Sequence, residues 1–353
     1  MKVLVIQHKM IGDVLVSSII CENLKKAYPN AQIDYLVNNN TVDILKNNPS
    51  ISNLVIFNPK EQKGIWNLLQ FAFKIRKEKY DLVIDAYSKL QSWIICLICG
   101  GKQKISYLKK GREFIYTDTV PFAAFPETYL GLAIERRLSL LNPLHLAIEK
   151  ITEPKLYLSS EEIEKANEAF KYHSIDSSRK TIMISLLGSE NIKTYPLNYM
   201  TQVVDYIGIH YNVNILFNYF PKQLEQAKEV FENCSDKTKS KIYFELFGDS
   251  LRDYMGLMNN CELIIGNDGG AINMAKALGK SSFIIFSPWI EKKIWATFED
   301  GIKHTSVHLN DFKPELFEGK TEKELKSLSL EYYTKFEPAL FLENIKSFLD
   351  SKV

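Results

Sequence analysis

KVLVIQHKMIGDVLVSSIICENLKKAYPN, residues 2–30, decides the fold class. KVLVIQ is a short apolar run suited to a parallel strand buried on both faces, which needs no polar alternation. HKMIGD is a loop with a glycine. From Val14 to Tyr28 the apolar residues recur at helical spacing, and Pro29-Asn30 stops them. The unit is strand, loop, helix, and it repeats. AQIDYLV is the next strand, broken at Asn38-Asn39-Asn40, and TVDILKNN is a short helix. NLVIFN is a strand, Lys63 to Glu78 a helix and YDLVIDA a strand. A helix around Gln91 to Cys99 then leads to the short strand KISYL. Such alternation predicts a parallel sheet with helices on both faces.

The alternation restarts after Pro154. Ser159 to Tyr172 reads as a helix with Ser160, Glu161 and Glu162 in its first turn. TIMISLLG, NVNILFNY, KIYFELFG, CELIIGND and SSFIIFSP read as strands. Helices are expected over Leu197 to His210, Lys222 to Asn233, Leu251 to Asn259 and Ala271 to Leu278. The expected division is therefore one doubly wound domain at 1–160 and a second at 175–320. A helical tail at 322–353 is expected to pack back across the junction. In two such domains ligands bind at the carboxyl ends of the strands, which singles out the loops 7–13 and 266–273.

Composition narrows the function classes. With 46% hydrophobic and 24% charged residues, the chain is globular and neither disordered nor fibrous. The longest apolar stretch, around Trp93 to Cys99, falls far short of the roughly 20 residues that span a bilayer. The opening VLVI is too short for a signal peptide, so a cytoplasmic location is expected. Five cysteines argue against a disulfide framework. Cys96 and Cys99 form a C-x-x-C inside WIICLICGG, but no second ligand pair stands at zinc spacing, so they read as buried helix cysteines and no metal is expected. Residues 1–150 carry 20 Lys+Arg against 13 Asp+Glu, and the rest carry 24 against 29. The basic half either meets an anionic partner or presents a solvated lysine-rich surface. No G-x-S-x-G elbow supports a triad hydrolase, and the aromatic residues do not alternate with a basic stripe, which argues against nucleic acid.

Three short segments could carry chemistry. In IIGNDGGA (264–271) a buried strand ends in a tight turn that opens a helix. Gly269 and Gly270 let backbone approach a ligand, and free N–H groups at the helix start suit a diphosphate. A plain turn capped by Asn267 or Asp268 is the alternative. In GSENIKTYP (188–196), Ser189 and Lys193 could touch phosphate oxygens, the lysine offsetting charge on a leaving nucleotide; a merely exposed lysine is the alternative. In Gly12-Asp13 the carboxylate stands at the mouth of the first strand, as a general base or as a helix N-cap.

The ordered set resembles the bacterial heptosyltransferases, glycosyltransferase family 9. MKVLVIQHKMIGDVLVSSII, YDLVIDAYSKLQS with GGKQKISY, ERRLSLLNPL, GSENIKTYPLNYM and LFGDSLRDYMGLMNNCELIIGNDGGAINMAKALGKSSFIIF follow the family's order from residue 1 to about 290. The resemblance implies a GT-B fold of two Rossmann-like domains and transfer of a sugar from ADP-heptose to a lipopolysaccharide core acceptor. It also implies inversion and no metal or other cofactor. Asp13 would be the base. Ser189, Lys193, Gln223, Asp268, Gly269, Gly270 and Asn273 would bind the donor. Gly12, Lys109 and Arg112 would face an anionic glycolipid acceptor, with peripheral contact at the inner membrane face. Three positions depart from the family: Gly269 replaces a threonine, Asn273 a histidine, and Gln223 an acidic ribose contact. SPWIEKKIW also differs from the usual glycine-proline-threonine run. A different donor sugar, a binding protein that has lost catalysis, and an epimerase using His8 are the alternatives.

Overall fold

The computed structural model describes all 353 residues, which form two compact units, residues 1–157 and 158–353. The first holds β1 (Lys2–Ile6), α1 (Ile11–Ala27), β2 (Gln32–Asn38), β3 (Asn53–Phe57), α2 (Ile65–Lys77), β4 (Leu82–Asp85), α3 (Leu90–Ile98), β5 (Gln103–Tyr107), β6 (Asp118–Val120) and α4 (Leu132–Ser139). Its six strands are all parallel, in the order β3-β2-β1-β4-β5-β6. β1 and β4 are buried along nearly their whole length, as a sheet covered on both faces requires. On one face Leu4, Ile6, Val83, Phe71, Ile75 and Ile95 meet in a core under α2 and α3.

The second unit holds α5 (Ser160–Tyr172), β7 (Thr181–Ser185), α6 (Leu197–His210), β8 (Asn214–Asn218), α7 (Leu224–Asn233), the single turn α8 (Asp236–Lys239), α9 (Leu251–Asn259), β9 (Leu263–Asn267), α10 (Gly270–Ala277), β10 (Ser281–Ile285), the single turn α11 (Lys292–Trp295), β11 (His304–Val307), α12 (Glu322–Thr334) and α13 (Leu342–Asp350). Its sheet is parallel with the order β11-β10-β9-β7-β8. The expected capping signal starts α5: Ser159 Oγ accepts from Glu162 N, and Glu162 accepts from Ser159 N. The buried Arg252 guanidinium then pairs with Glu162 and fastens α9 to α5. The tail is woven into this unit's own core. Tyr333, Phe336, Phe341 and Phe348 are buried with Phe283 and Tyr195, and Tyr195 Oη donates to Phe336 O at 2.5 Å.

Several elements differ from the sequence expectation. α1 starts at Ile11, not Val14, so Gly12 and Asp13 lie inside its first turn and Met10 is the N-cap. TVDILKNN gives a 3-10 turn over Asn39–Ile44. KIYFELFG is not a strand. It touches the sheet only where Ile242 bridges Ile215, then turns away as Leu246 N donates to Tyr243 O. Phe244 and Phe247 instead stack around Tyr219, ring centroids 5.7 and 6.1 Å away, so aromatic packing overrides strand pairing. β6, α4 and β11 had no sequence expectation.

Candidate active site

In both sheets the strand order reverses once, beside β1 in the first unit and beside β7 in the second. In open parallel sheets ligands bind at the carboxyl ends of strands at such a reversal. β1 ends in the loop to Asp13, β7 in the loop to Lys193, and β9 in Asp268.

In the first unit Asp13 is the third residue of α1, with its side chain about a quarter exposed (26%). Its Oδ1 accepts from Arg137 Nη2 at 2.5 Å, and its Oδ2 accepts from Met10 N at 3.5 Å. Arg137, on α4, is 7% exposed and also donates to Ser17 Oγ and Ala133 O. Burial opposes its charge, but the Asp13 carboxylate beside it offsets that cost and holds the guanidinium protonated. The Asp13 carboxylate is thus oriented by a fixed cation and does not act as an N-cap. Gly12 is buried in the same turn.

The other first-unit residues gather at the ends of β4 and β5. Asp85 is fully buried. It accepts from Ser88 N at 2.8 Å and Tyr116 Oη at 2.6 Å, and burial pushes its carboxyl up. The loop it shapes presents Ser88 O to the half-buried Lys109 ammonium at 2.7 Å. Burial pulls the Lys109 amine down. Lys109 also lies 5.7 Å from the Trp93 ring centre, and the exposed Arg112 guanidinium stacks on the same ring at 4.3 Å. Lys109 and Arg112, far apart from Asp13 in sequence, share this end of the sheet with it. His8 is 1% exposed, packed against Phe57 and Tyr87, and burial lowers its pKa to about 3. A buried, neutral imidazole of that kind is a core histidine.

In the second unit the loop after β7 is closed on itself. Gly188 N donates to Thr194 Oγ1, and a Cβ at Gly188 would lie 2.3 Å from Lys193 O, so the loop admits only glycine there. Ser189 is exposed and Lys193 half-buried. Gln223 is buried and uses its amide inside the fold, accepting from Phe220 N and donating to Gly188 O, both at 2.9 Å. It positions the Gly188 loop. Asn267 closes β9 rather than capping a helix. Its side chain accepts from Tyr195 N at 2.7 Å and donates to Ser185 O and Leu186 O, joining the ends of β7 and β9. Gly266 permits that approach at φ +133°, where a Cβ would lie 2.3 Å from Ser185 O.

Asp268 follows, half-buried, with Gly269 as N-cap of α10 and Gly270 as its first residue. Gly269 has extended backbone, and a Cβ there would meet no protein atom, so open space lies in front of the helix start. Asn273 donates to Gly269 O at 3.1 Å within its own helix. Burial pushes the Asp268 carboxyl up to about 6 against the pull of Lys193 and Lys276. Burial likewise lowers Lys276 to about 8, where its ammonium donates to Thr297 O at 2.6 Å. No group of three or more His, Cys, Asp or Glu side chains is placed to hold a metal. Cys96 and Cys99 are buried, and burial raises both thiols.

Sequence reasoning gave no role to Arg137 or Trp289, and offered Asn267 only as a helix cap, whereas its amide joins β7 to β9. Arg137 could be found as a cation inside the apolar stripe Ala133, Ile134, Leu138 of α4. The other two depend on contacts between distant segments and carry no local signal.

Comparison with known proteins bears on the family and the fold. The family model for glycosyltransferase family 9 (heptosyltransferase) matches residues 68–325. Lipopolysaccharide heptosyltransferase 1 of Campylobacter coli is 25% identical over 293 residues, 81% of this chain and 84% of that protein. The glycosyl transferase family 9 structure from Veillonella parvula has a TM-score of 0.76 at 18% identity, covering 95% of this chain and 97% of the other. The structure of E. coli ADP-heptose lps heptosyltransferase II has a TM-score of 0.68 at 19% identity, covering 94% and 99%. The fold is the α/β GT-B class, with two Rossmann-like units. The chain belongs to glycosyltransferase family 9, the heptosyltransferase family, and is a glycosyltransferase.

Proposed function

We propose that the protein transfers a heptose from an ADP-activated donor to a lipopolysaccharide core acceptor, inverting the anomeric centre without a metal. The observation that carries this reading is the Asp13 carboxylate held by buried Arg137 at the end of β1. In the proposed step an acceptor hydroxyl oxygen bonds to the anomeric carbon as the bond from that carbon to the diphosphate oxygen breaks. Asp13 takes the hydroxyl proton and ADP departs. A single displacement needs one base and no second carboxylate nucleophile. Lys193 and the free N–H groups at the start of α10 offset the charge gathering on the diphosphate. Ser189, Asp268, Gly269 and Gly270 border that space. The named activity of the Campylobacter coli and E. coli relatives supports the donor and acceptor classes.

Lys109 and Arg112 face the anionic acceptor in this reading. Neutralising both together with Lys110 should raise the acceptor KM several-fold while leaving donor affinity unchanged. An unaltered acceptor KM would remove this surface from the proposal. No helix is long and apolar enough to cross a membrane, so contact with the inner membrane face would be peripheral.

A second reading, the same chemistry on a different donor sugar, is favoured by Gln223 and Asn273, whose amides are engaged within the fold. A thermal-shift screen of nucleotide sugars tests both, because a ligand that binds only the folded state raises Tm. ADP-heptose should give the largest shift. A larger shift with another donor supports the second reading, and no shift with any nucleotide sugar at millimolar concentration contradicts both.

A further inference from the structure

The run SPWIEKKIW places an indole in contact with two lysines in the second unit. Lys193 Nζ lies 5.4 Å from the Trp289 ring centre, and Lys326 Nζ, on α12, lies 5.0 Å from it. The two ammonium groups therefore lie no more than about 10 Å apart, near the Debye length, so physiological salt leaves part of their repulsion. Neither forms an ion pair with a carboxylate, and Lys193 acts on Asp268 only at longer range. The indole face attracts both, but its quadrupole offsets only part of the repulsion between them. An anion bound at the two ammoniums would complete the charge balance.

α12 is fixed against the Lys193 loop by hydroxyl contacts. Ser329 Oγ donates to Ile192 O at 3.0 Å, and Ser287 Oγ donates to the same carbonyl at 2.6 Å. Ser329 is fully buried and lies one turn beyond Lys326, so the two share a helix face. Tyr199 Oη also donates to Thr334 O at 3.1 Å. The segment before Lys193, the segment before Trp289 and the tail helix thus meet at one carbonyl. Lys326 itself is exposed, with its ammonium over the Trp289 ring.

We propose that Lys326 is a second phosphate-binding cation of the donor site, supplied by the C-terminal tail and positioned with Lys193 by Trp289. Its ligand is the diphosphate of the nucleotide sugar. The inference rests on the proposed donor reading and deepens it.

The test measures ADP, AMP and adenosine binding by calorimetry on the full chain, for the wild type, Lys326→Gln, Lys326→Arg and Trp289→Leu. Loss of one charge-assisted contact at an exposed lysine should weaken ADP binding roughly five- to tenfold. Adenosine affinity and Tm should hold, Lys326→Arg should recover most of the ADP affinity, and Trp289→Leu should weaken ADP binding as well. ADP affinity unchanged in Lys326→Gln, with the wild type binding ADP, overturns the inference and leaves the donor reading standing. An equal loss for ADP and adenosine overturns it too, because that marks a merely structural tail contact. The same holds if Lys326→Gln raises only the acceptor KM, which would make the anion a phosphate of the acceptor. A wild type that binds no nucleoside diphosphate at millimolar concentration removes the donor reading and the inference together.

Discussion

Asp268 stands where a diphosphate is proposed to bind, yet it is a carboxylate. Its burial resolves the conflict at low pH, because the carboxyl is pushed up to about 6. Between about pH 4 and pH 6 the native chain holds a proton that the unfolded chain has released. This group's contribution to stability is therefore lost as pH rises through that window. Ligand binding should follow the same sign. An ADP-sugar has no phosphate that titrates there, so its affinity should weaken as pH rises through about 6, and Asp268→Asn should flatten the profile. Titrations from pH 5 to 8 check this. Tightening with rising pH would instead make the ionised carboxylate a ligand, as in a contact to ribose hydroxyls. At Asp13 the choice of variant matters for the same electrostatic reason. Alanine would strand the buried Arg137, whereas asparagine keeps an oxygen for it to bond.

At the scale of elements, the site depends on how β7 and β9 are held together. Asn267 is fully buried and spends its amide on Tyr195 N, Ser185 O and Leu186 O. Asn267→Ala should cost about 3 kcal/mol, since three buried backbone groups lose a partner. Denaturant melts would read the loss, and a cost within about 0.5 kcal/mol would show that these bonds are replaceable. Asn267→Asp should not rescue the fold, because it sets carboxylate oxygens against two carbonyls. These elements were legible in the sequence to different degrees. β1, β4, β7 and β9 are apolar runs with turns behind them, and burial on both faces leaves that mark. β6 and β11 are edge strands, short and partly polar, and leave almost none. KIYFELFG has strand composition but spends its aromatic residues on Tyr219. Loop positions were readable by motif at Asp13, Lys193 and Asp268. The bonds that engage Gln223 and Asn273 were not, since they depend on where Gly188 and Gly269 present their carbonyls.

At the scale of the whole molecule, the proposed function is divided between two doubly wound units, each with candidate residues beside the reversal of its own sheet. The charge follows the same division: residues 1–150 are net basic and the remainder net acidic. A basic acceptor unit and a donor unit that neutralises diphosphate with a few placed groups match the proposed partition of labour. That partition predicts that catalysis and donor binding are separable by mutation. Asp13→Asn is the direct test, measured as sugar transfer under saturating ADP-heptose and lipopolysaccharide core acceptor alongside calorimetric donor affinity. Transfer should fall by about 10²- to 10⁴-fold, the range of general-base catalysis, with donor Kd and Tm unchanged. Transfer at the wild-type rate by a folded Asp13→Asn protein would contradict it.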